Sequence, residues 1–355
     1  YQVEPWSPEH WEALRPYAKM LADAGQKVIT TSIIEKPWGT QTEWGFESMI
    51  QWTKKADGNW AFDYTVFDSY VQFMMDMGVN RQINCYSLIP WTNKLVYYNE
   101  ATAQNDTVEI EAGSPTFIEM WTPFLKDFSI HLEEKGWHKI TNFAMDERDG
   151  KSMQKMLGMM DELAPDIGIS LADSHTAYKL FPDKIKDLSV SYTHVMIDKE
   201  DIEYRQSKGY PTTYYVCCVD EFPNTFTFSP PVDAVYLGWY ATAAGYDGLL
   251  RWSFTSWVKD PLHDSRFRAW PAGDTYMVYP GARSSIRYER MVEGIQNAEK
   301  IRILRGQFKN EETDAAKLKL LLLDETVARF NSIGRPENAE DLMQQGKKVL
   351  EELSR

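Results

Sequence analysis

The chain has 355 residues, of which 43% are hydrophobic and 25% are charged, the balance of an ordinary globular protein. Its formal net charge of −14 argues against a nucleic-acid partner, because phosphate binding requires a basic surface. No apolar run is long enough to span a bilayer, so we expect no membrane span. Aromatic residues reach 14%, with 13 Trp and 19 Tyr, which suits a site that holds an amphipathic ligand such as a sugar.

The chain alternates helical patterns with short apolar runs. Residues 6–24 carry apolar side chains at helical spacing, and the β-branched run over 28–34 predicts a buried strand. Alternating residues over 94–112, on both sides of Asn105-Asp106, predict a β-hairpin. By the same criteria, further strands lie near residues 82, 139, 168, 188, 213 and 248, and further helices lie over residues 62–77, 114–135, 153–163, 233–244, 284–304, 311–333 and 337–354.

Strands that alternate with helices indicate an α/β fold with a parallel sheet. The pattern contains seven strand–helix units, one fewer than the eight of a (β/α)8 barrel of the TIM type. Either one strand is hidden in an irregular segment, or the first strand lies before Tyr1. No linker rich in Gly, Pro or Ser interrupts the first 306 residues. We therefore predict one barrel domain over residues 1–306 and a helical extension over residues 307–355.

The most informative stretch is residues 142–150, Asn-Phe-Ala-Met-Asp-Glu-Arg-Asp-Gly. Its apolar run ends in the adjacent carboxylates Asp146 and Glu147, and helical spacing resumes after Gly150. In a parallel α/β barrel, the active site forms where strands end and helices begin. An Asp and a Glu in this position can instead cap the next helix, so the remainder of the chain has to decide between these roles.

Polar and aromatic side chains recur at or just after the ends of the other predicted strands. Each one alone is better explained as a core or turn residue, but a barrel brings its strand ends to one face. A purely structural rim has no need for so many rings and charges. We therefore predict that the following residues bind the substrate: Trp38, Tyr86, Trp91, Asp173, His175, Tyr192, Arg251, Trp252, Asp274 and Tyr279.

Sequence motifs argue against several kinds of enzyme. The chain contains no G-x-S-x-G elbow, no G-x-G-x-x-G fingerprint and no P-loop. The first predicted strand ends without a His-x-His pair, so we predict neither a metal site nor a cofactor. Carboxylates together with aromatic rings favour glycoside hydrolysis, which uses Asp and Glu.

The spacing of the two carboxylates bears on the mechanism. Two-carboxylate glycosidases place their acids on opposite sides of the sugar. Adjacent residues have Cα atoms about 3.8 Å apart and would have difficulty reaching both sides. From one side, Glu147 can protonate the leaving oxygen while Asp146 steadies a nucleophile that belongs to the substrate, a 2-acetamido group. This substrate-assisted route is a known exception to the two-carboxylate rule.

The stretch Phe143-Ala144-Met145-Asp146-Glu147 resembles the catalytic Asp-Glu motif of glycoside hydrolase family 123, the β-N-acetylgalactosaminidases. Two further regions are similar to the same family. Residues 248–253 (Gly-Leu-Leu-Arg-Trp-Ser) resemble its last barrel strand. The family's C-terminal signature is similar to residues 273–281 (Gly-Asp-Thr-Tyr-Met-Val-Tyr-Pro-Gly), 284–291 (Ser-Ser-Ile-Arg-Tyr-Glu-Arg-Met) and 294–296 (Gly-Ile-Gln).

The resemblance covers roughly residues 1–306 and implies a (β/α)8 barrel that hydrolyses glycosides with retention of configuration. Asp146 would orient the acetamido group of the substrate, and Glu147 would be the general acid/base. The implied substrate is a glycan, the terminal β-N-acetylgalactosamine of a glycolipid or glycoprotein, and the implied location is extracytoplasmic. Relatives usually carry a β-sandwich domain upstream and begin the barrel earlier than Tyr1, which would account for the missing first strand.

Two alternatives remain open. A β-N-acetylglucosaminidase differs only in the configuration of its substrate at one hydroxyl, and Asp274, Arg251 and Tyr279 are the candidates for recognising that hydroxyl. The second alternative is a barrel that binds carbohydrate without catalysis, and the intact Asp146-Glu147 pair argues against it.

Overall fold

The computed structural model describes Tyr1, residues 3–268 and residues 270–355. Strands and helices alternate along the chain, as the sequence predicts for the α/β class. The strands are β1 (Val28–Ser32), β2 (Gln51–Lys54), β3 (Trp60–Asp63), β4 (Gln82–Tyr86), β5 (Lys94–Asn99), β6 (Gln104–Glu109), β7 (Thr141–Asp146), β8 (Gly168–Asp173), β9 (Ile185–Ser191), β10 (Thr212–Tyr215) and β11 (Gly248–Leu250).

Nine helices are found in the described part of the chain, and none of them is long and apolar enough to cross a membrane. They are α1 (Pro8–Asp23), α2 (Thr65–Asp76), α3 (Pro115–Glu134), α4 (Gly150–Leu163), α5 (Lys199–Lys208), α6 (Pro231–Ala244), α7 (Ile286–Asn310), α8 (Asp314–Ala328) and α9 (Ala339–Leu353).

Seven strands are hydrogen-bonded in the order β1-β4-β7-β8-β9-β10-β11. They are the seven strands that the sequence predicts, and the pairs β1-β4, β4-β7, β7-β8 and β10-β11 are parallel. Among the described residues, β1 and β11 each have a neighbour on one side only, so the sheet is open. Strand pairing therefore supports the α/β class and the parallel sheet, but it does not establish a closed barrel.

The chain divides into two compact units, Tyr1–Leu188 and Ser189–Arg355, and the boundary lies inside β9. The first unit contains a second sheet, of order β3-β2-β5-β6, that was not expected from the sequence. The predicted hairpin is confirmed as β5 and β6, which pair in antiparallel fashion. Its turn lies at residues 100–103, however, and not at Asn105-Asp106, because both of these residues belong to β6.

A chain of buried aromatic rings supports the centre of the first unit. Trp52 on β2 stacks on Phe124 of α3 with ring centroids 4.4 Å apart. Phe124 stacks on Phe128 at 5.1 Å, and Phe128 lies 5.9 Å from Phe143 in the middle of β7. Burying each such side chain contributes about 1.5–3 kcal/mol. These rings therefore help to fix β7, the strand that ends in the acidic pair.

In the second unit, α6 packs against α7, α8 and α9. Helices α6 and α7 approach closely because glycines meet at their crossing, where a Cβ on Gly238 would lie 2.1 Å from the carbonyl oxygen of Gly294. Beyond α8, Phe330 packs on Trp239 of α6 with ring centroids 4.3 Å apart. The division predicted after residue 306 falls within α7, which continues to Asn310, and it stays a prediction.

Candidate active site

The turn after β7 carries the adjacent carboxylates. Asp146 is the last residue of the strand and is half-buried. Glu147 follows with φ at +49°, a left-handed backbone conformation that is uncommon for residues other than glycine. The backbone N–H of Glu147 donates to the carbonyl oxygen of Ala172 at 2.8 Å, which fixes the turn to β8.

Asp149, and not the acidic pair, caps the next helix. Its Oδ1 accepts hydrogen bonds from the backbone N–H groups of Lys151 and Ser152, both at 3.0 Å, and its Oδ2 accepts from the Ser152 hydroxyl at 2.7 Å. This is the usual arrangement of an N-cap. Helix capping, the structural role that could have accounted for Asp146 and Glu147, is therefore performed by Asp149.

Asp146 lies in a small cluster with an indole and a guanidinium. The indole N–H of Trp91 donates to Oδ2 of Asp146 at 2.8 Å, and Nε of Arg148 donates to the backbone carbonyl of Asp146 at 3.1 Å. The guanidinium carbon of Arg148 lies 4.8 Å from the centroid of the Trp91 ring, within the usual range of a cation–π contact. The sequence-predicted residues Trp91 and Asp146 are thus in direct contact.

Burial dominates the electrostatics of Asp146 and raises its pKa to about 6. The Trp91 hydrogen bond and the charge of Arg148 favour the carboxylate, while the negative charge of Glu147 opposes it. Carboxyl groups with a pKa near neutrality, held by specific partners, occur preferentially at functional sites. The raised pKa therefore makes Asp146 a candidate for an active-site residue.

Two more predicted residues line the same region of the first unit. The ring centroid of Trp38 lies 4.9 Å from that of Tyr86 at the end of β4. It lies 5.0 Å from the ring centroid of Phe46, which it meets edge-on. The backbone N–H of Trp91 donates to the carbonyl of Pro37 at 3.1 Å, which joins the loops after β1 and β4. Burial, together with the nearby charge of Asp146, raises the pKa of Tyr86. Trp38, Tyr86, Trp91 and Asp146 are therefore brought together.

Asp173 and His175 follow β8 but have different surroundings. Asp173 is fully buried, and its two carboxylate oxygens accept the backbone N–H groups of His175 and Tyr178 at 2.8 and 2.9 Å. His175 is exposed. Asp173 thus holds the turn after β8, and substrate contact by either residue stays a prediction.

In the second unit, three predicted residues form one cluster. Arg251 donates from Nη1 to Oδ1 of Asp274 at 3.4 Å and from Nη2 to the backbone carbonyl of Asp274. The indole N–H of Trp252 donates to the same Oδ1 at 3.4 Å. Burial lowers the pKa of Arg251, and Asp274 opposes that shift. Tyr279 is half-buried beside Tyr276, with ring centroids 5.4 Å apart.

Tyr192 lies in surroundings that the sequence did not indicate. Its side chain is 2% exposed, and its hydroxyl donates to the carbonyl of Ser332 at 3.3 Å and accepts from the backbone N–H of Gly334 at 2.9 Å. Both partners belong to the segment between α8 and α9. The hydroxyl of Tyr192 is thus engaged by the helical extension, and its contact with substrate stays a prediction.

Arg148 was not among the predicted site residues, although it stands next to the acidic pair. Nothing in its immediate neighbours indicates the contact with Trp91, which is distant along the chain and becomes visible only in the fold. Within the ranges that the structure describes, no group of three or more His, Cys, Asp or Glu side chains is arranged to hold a metal ion.

Comparison with known proteins gives a family match and a structural match. A family model described as the catalytic domain of glycoside hydrolase 123 matches residues 1–304. A solved structure of a family 123 glycoside hydrolase from Clostridium perfringens, studied for glycolipid glycan hydrolysis, is 29% identical, with a TM-score of 0.85. The match covers 98% of this chain, which spans 64% of the length of that protein. No curated protein matches the sequence.

Proposed function

This chain belongs to glycoside hydrolase family 123, and from that premise we propose that it releases terminal β-N-acetylgalactosamine from a glycan with retention of configuration. The acetamido group of the sugar is the nucleophile, Glu147 is the general acid/base, and Asp146 orients the acetamido group. One observation carries the proposal: Asp146 ends β7, Glu147 follows it, and neither caps the next helix, because Asp149 does so.

The reaction proceeds in two steps at the anomeric carbon. Glu147 donates a proton to the glycosidic oxygen while the acetamido carbonyl oxygen attacks, so the bond to the aglycone breaks and a cyclic oxazolinium forms. Glu147 then takes a proton from a water molecule, which attacks the same carbon and opens the ring. Two displacements at one carbon restore the β configuration.

Asp146 supports this reaction as an anion. Its carboxylate accepts the N–H of the acetamido group and stabilises the positive charge that develops on the nitrogen as the ring closes. A fixed carboxylate in a half-buried position is more effective in this role than a solvated one, because it needs no reorganisation during the reaction. With a pKa of about 6, Asp146 is mostly ionised at neutral pH.

Aromatic rings near Asp146 are the candidates for contact with the sugar ring. Trp91 is 40% exposed and therefore keeps part of its surface for a ligand, while Trp38 and Tyr86 are more buried. Rings of this kind commonly pack against the apolar face of a sugar. His175 is exposed and remains a further candidate.

Sugar hydroxyls are proposed to be recognised by the remaining polar residues of the predicted set. Arg251, Trp252 and Asp274 form a connected hydrogen-bonding cluster, and Tyr279 is the next candidate. Discrimination between the galacto and gluco configurations is assigned to this set. Tyr192 is assigned a supporting role, because its hydroxyl already has two partners.

The proposed substrate class rests on the family match. The Clostridium protein was studied for the hydrolysis of glycolipid glycans, and we propose a glycolipid or glycoprotein sugar for this chain. Because the chain spans only part of that protein, activity of this segment alone belongs to the proposal. A complete TIM-type barrel, an upstream β-sandwich domain and an extracytoplasmic location are further proposals that rest on the family resemblance.

Aryl β-glycosides of N-acetylgalactosamine, N-acetylglucosamine and galactose test the proposal directly. We expect the first to be hydrolysed fastest and the plain galactoside to be hydrolysed at a negligible rate, since it lacks the acetamido nucleophile. Comparable turnover of the plain galactoside would contradict the substrate-assisted mechanism. Faster turnover of the gluco substrate would favour a β-N-acetylglucosaminidase, and binding without turnover would favour a non-catalytic barrel.

A further inference from the structure

We propose that Arg148 is a positioning residue for Asp146. Arg148 acts through its contact with Trp91 and through its hydrogen bond to the backbone of the turn. The inference rests on the proposed function, in which Asp146 orients the acetamido group. It assigns a role to a residue that touches neither the sugar nor the reacting atoms in that mechanism.

Three contacts link Arg148, Trp91 and Asp146 in a closed arrangement. Nε of Arg148 donates to the backbone carbonyl of Asp146 at 3.1 Å, and the guanidinium lies over the Trp91 ring at 4.8 Å. The indole N–H of Trp91 returns to Oδ2 of Asp146 at 2.8 Å. The guanidinium therefore holds the indole in the orientation from which its N–H can bind the carboxylate.

This arrangement leaves one carboxylate oxygen for the substrate. Oδ2 of Asp146 is engaged by Trp91, and within the described residues no protein donor reaches Oδ1. A carboxylate fixed at one oxygen can present the other in a constant direction, which is what an acetamido N–H requires. Small losses of such alignment reduce rates substantially.

The burial of Arg148 is unlike that of a surface arginine. The side chain is half-buried, and among the described residues its Nη2 is a buried nitrogen without a hydrogen-bond partner. Leaving a buried guanidinium nitrogen unpaired is unfavourable. The contacts that hold Arg148 in this position are those with the turn and with Trp91.

Arg148 also affects the charge of Asp146. Three groups shift the pKa of Asp146: Trp91 from the loop after β4, and Glu147 and Arg148 from its own turn. The charge of Asp146 in turn raises the pKa of the Tyr86 hydroxyl. Arg148 is the cation among them. Without it, the carboxylate loses a stabilising charge, and its pKa rises further above the ordinary value.

The experiment compares Arg148→Met with Arg148→Lys and with Arg15→Met in the full 355-residue chain. Arg15 on α1 makes a matched cation–π contact, with its guanidinium carbon 5.4 Å from the ring centroid of Phe73 on α2. The measurements are kcat and KM for the aryl N-acetylgalactosaminide between pH 5 and pH 9, together with the melting temperature. Asp146→Asn is measured in the same assay.

For Arg148→Met we expect a lower kcat with a smaller change in KM, and an acidic limb of the pH profile that moves to higher pH. One unit of such movement lowers the rate on that limb about tenfold, while the rate at high pH changes less. Arg148→Lys should restore the position of the limb, since it keeps the charge, but not the full kcat, since it lacks the flat guanidinium. Arg15→Met should match the parent chain.

The proposal is overturned if Arg148→Met and Arg15→Met have the same kcat and the same acidic limb, or if Arg148→Met lowers only the melting temperature. If Arg148→Met does not fold, Arg148→Lys decides, because an unchanged kcat at high pH contradicts a need for the planar group. Failure of the proposed function looks different. In that case, Asp146→Asn itself retains activity.

Discussion

The backbone N–H of Glu147 donates to the carbonyl oxygen of Ala172 at 2.8 Å, so the turn that carries the acidic pair is fixed to the neighbouring strand by main-chain atoms. The backbone of the turn is therefore held by a contact that does not involve either carboxyl side chain. Substitutions that keep their shape should change catalysis far more than they change folding.

Replacing the acidic pair tests this separation. Glu147→Gln should reduce hydrolysis by about 10²–10⁴-fold, the usual contribution of a general acid or base, with little change in melting temperature. Asp146→Asn should reduce hydrolysis by about 10²–10³-fold, the usual effect of losing one electrostatic partner of a developing charge, without preventing folding. Asp149→Ala in the same turn is the matched control. It should lower stability by about 1 kcal/mol through loss of the helix cap, and the folded fraction should keep its rate. Near-full activity in both acidic-pair variants would place the site elsewhere.

The pH dependence of activity should follow the ionisation of Asp146. Its pKa is raised by burial to about 6, so we expect the rate to fall as the pH drops through that value. The sign for stability is the opposite. The folded chain binds this proton more tightly than the unfolded chain, so the contribution of Asp146 to stability decreases as pH rises from its ordinary pKa toward about 6.

Thermal unfolding at two pH values checks the sign. Asp146→Asn has no charge to bury. The melting temperature of this variant should therefore rise, relative to that of the parent chain, as the pH increases from 5 to 8. A variant that loses stability relative to the parent over this interval would show that the carboxylate is stabilised by its surroundings and not opposed by burial.

Stereochemistry and inhibition test the acetamido nucleophile. The first product observed by NMR should be the β anomer, and a thiazoline that mimics the cyclic intermediate should bind tightly, because sites complementary to the reacting state favour such mimics. Asp146→Asn should weaken that binding, since the N–H of the protonated ring loses its charged acceptor. An α product at early times would require a separated pair of carboxylates in place of this mechanism.

Asp173 should behave as a structural residue. Its carboxylate accepts two backbone N–H groups in a fully buried position, and hydrogen bonds to charged groups contribute about 1.5–3 kcal/mol each. Asp173→Ala should therefore lower the free energy of unfolding by at least about 2 kcal/mol. His175→Ala, two residues further on, should have little effect on stability. Unchanged stability with a raised KM in Asp173→Ala would favour direct substrate binding.

The parallel strands could be predicted because each is a short apolar run with a turn or a helix signal on either side. The second sheet could not, because β2 and β3 have four residues each and β2 pairs in parallel with β5 from a distant part of the chain. Helix α5 was missed because its residues are mostly polar and leave no clear apolar stripe.

Within the site, the sequence indicates residue types better than it indicates contacts. Asp146 and Trp91 were both expected near the substrate, but the hydrogen bond between them depends on two loops that meet only in the fold. The sequence did not indicate Arg148, because its proposed role depends on its contact with the Trp91 ring, which is distant along the chain. Tyr192 was placed correctly at a strand end, yet the segment that covers its hydroxyl comes from the far end of the chain.

That segment has a consequence for motion. Gly334 lies between two helices, where a backbone amide ordinarily exchanges its hydrogen with solvent quickly, but its N–H is bound to the buried hydroxyl of Tyr192. Exchange at Gly334 therefore requires the segment to detach from the end of β9, and the exchange rate measures how often it does so. Tyr192→Phe should speed exchange at Gly334 without affecting amides in the middle of α8. The opening of the segment between α8 and α9 can thus be followed by hydrogen exchange at a single amide, that of Gly334.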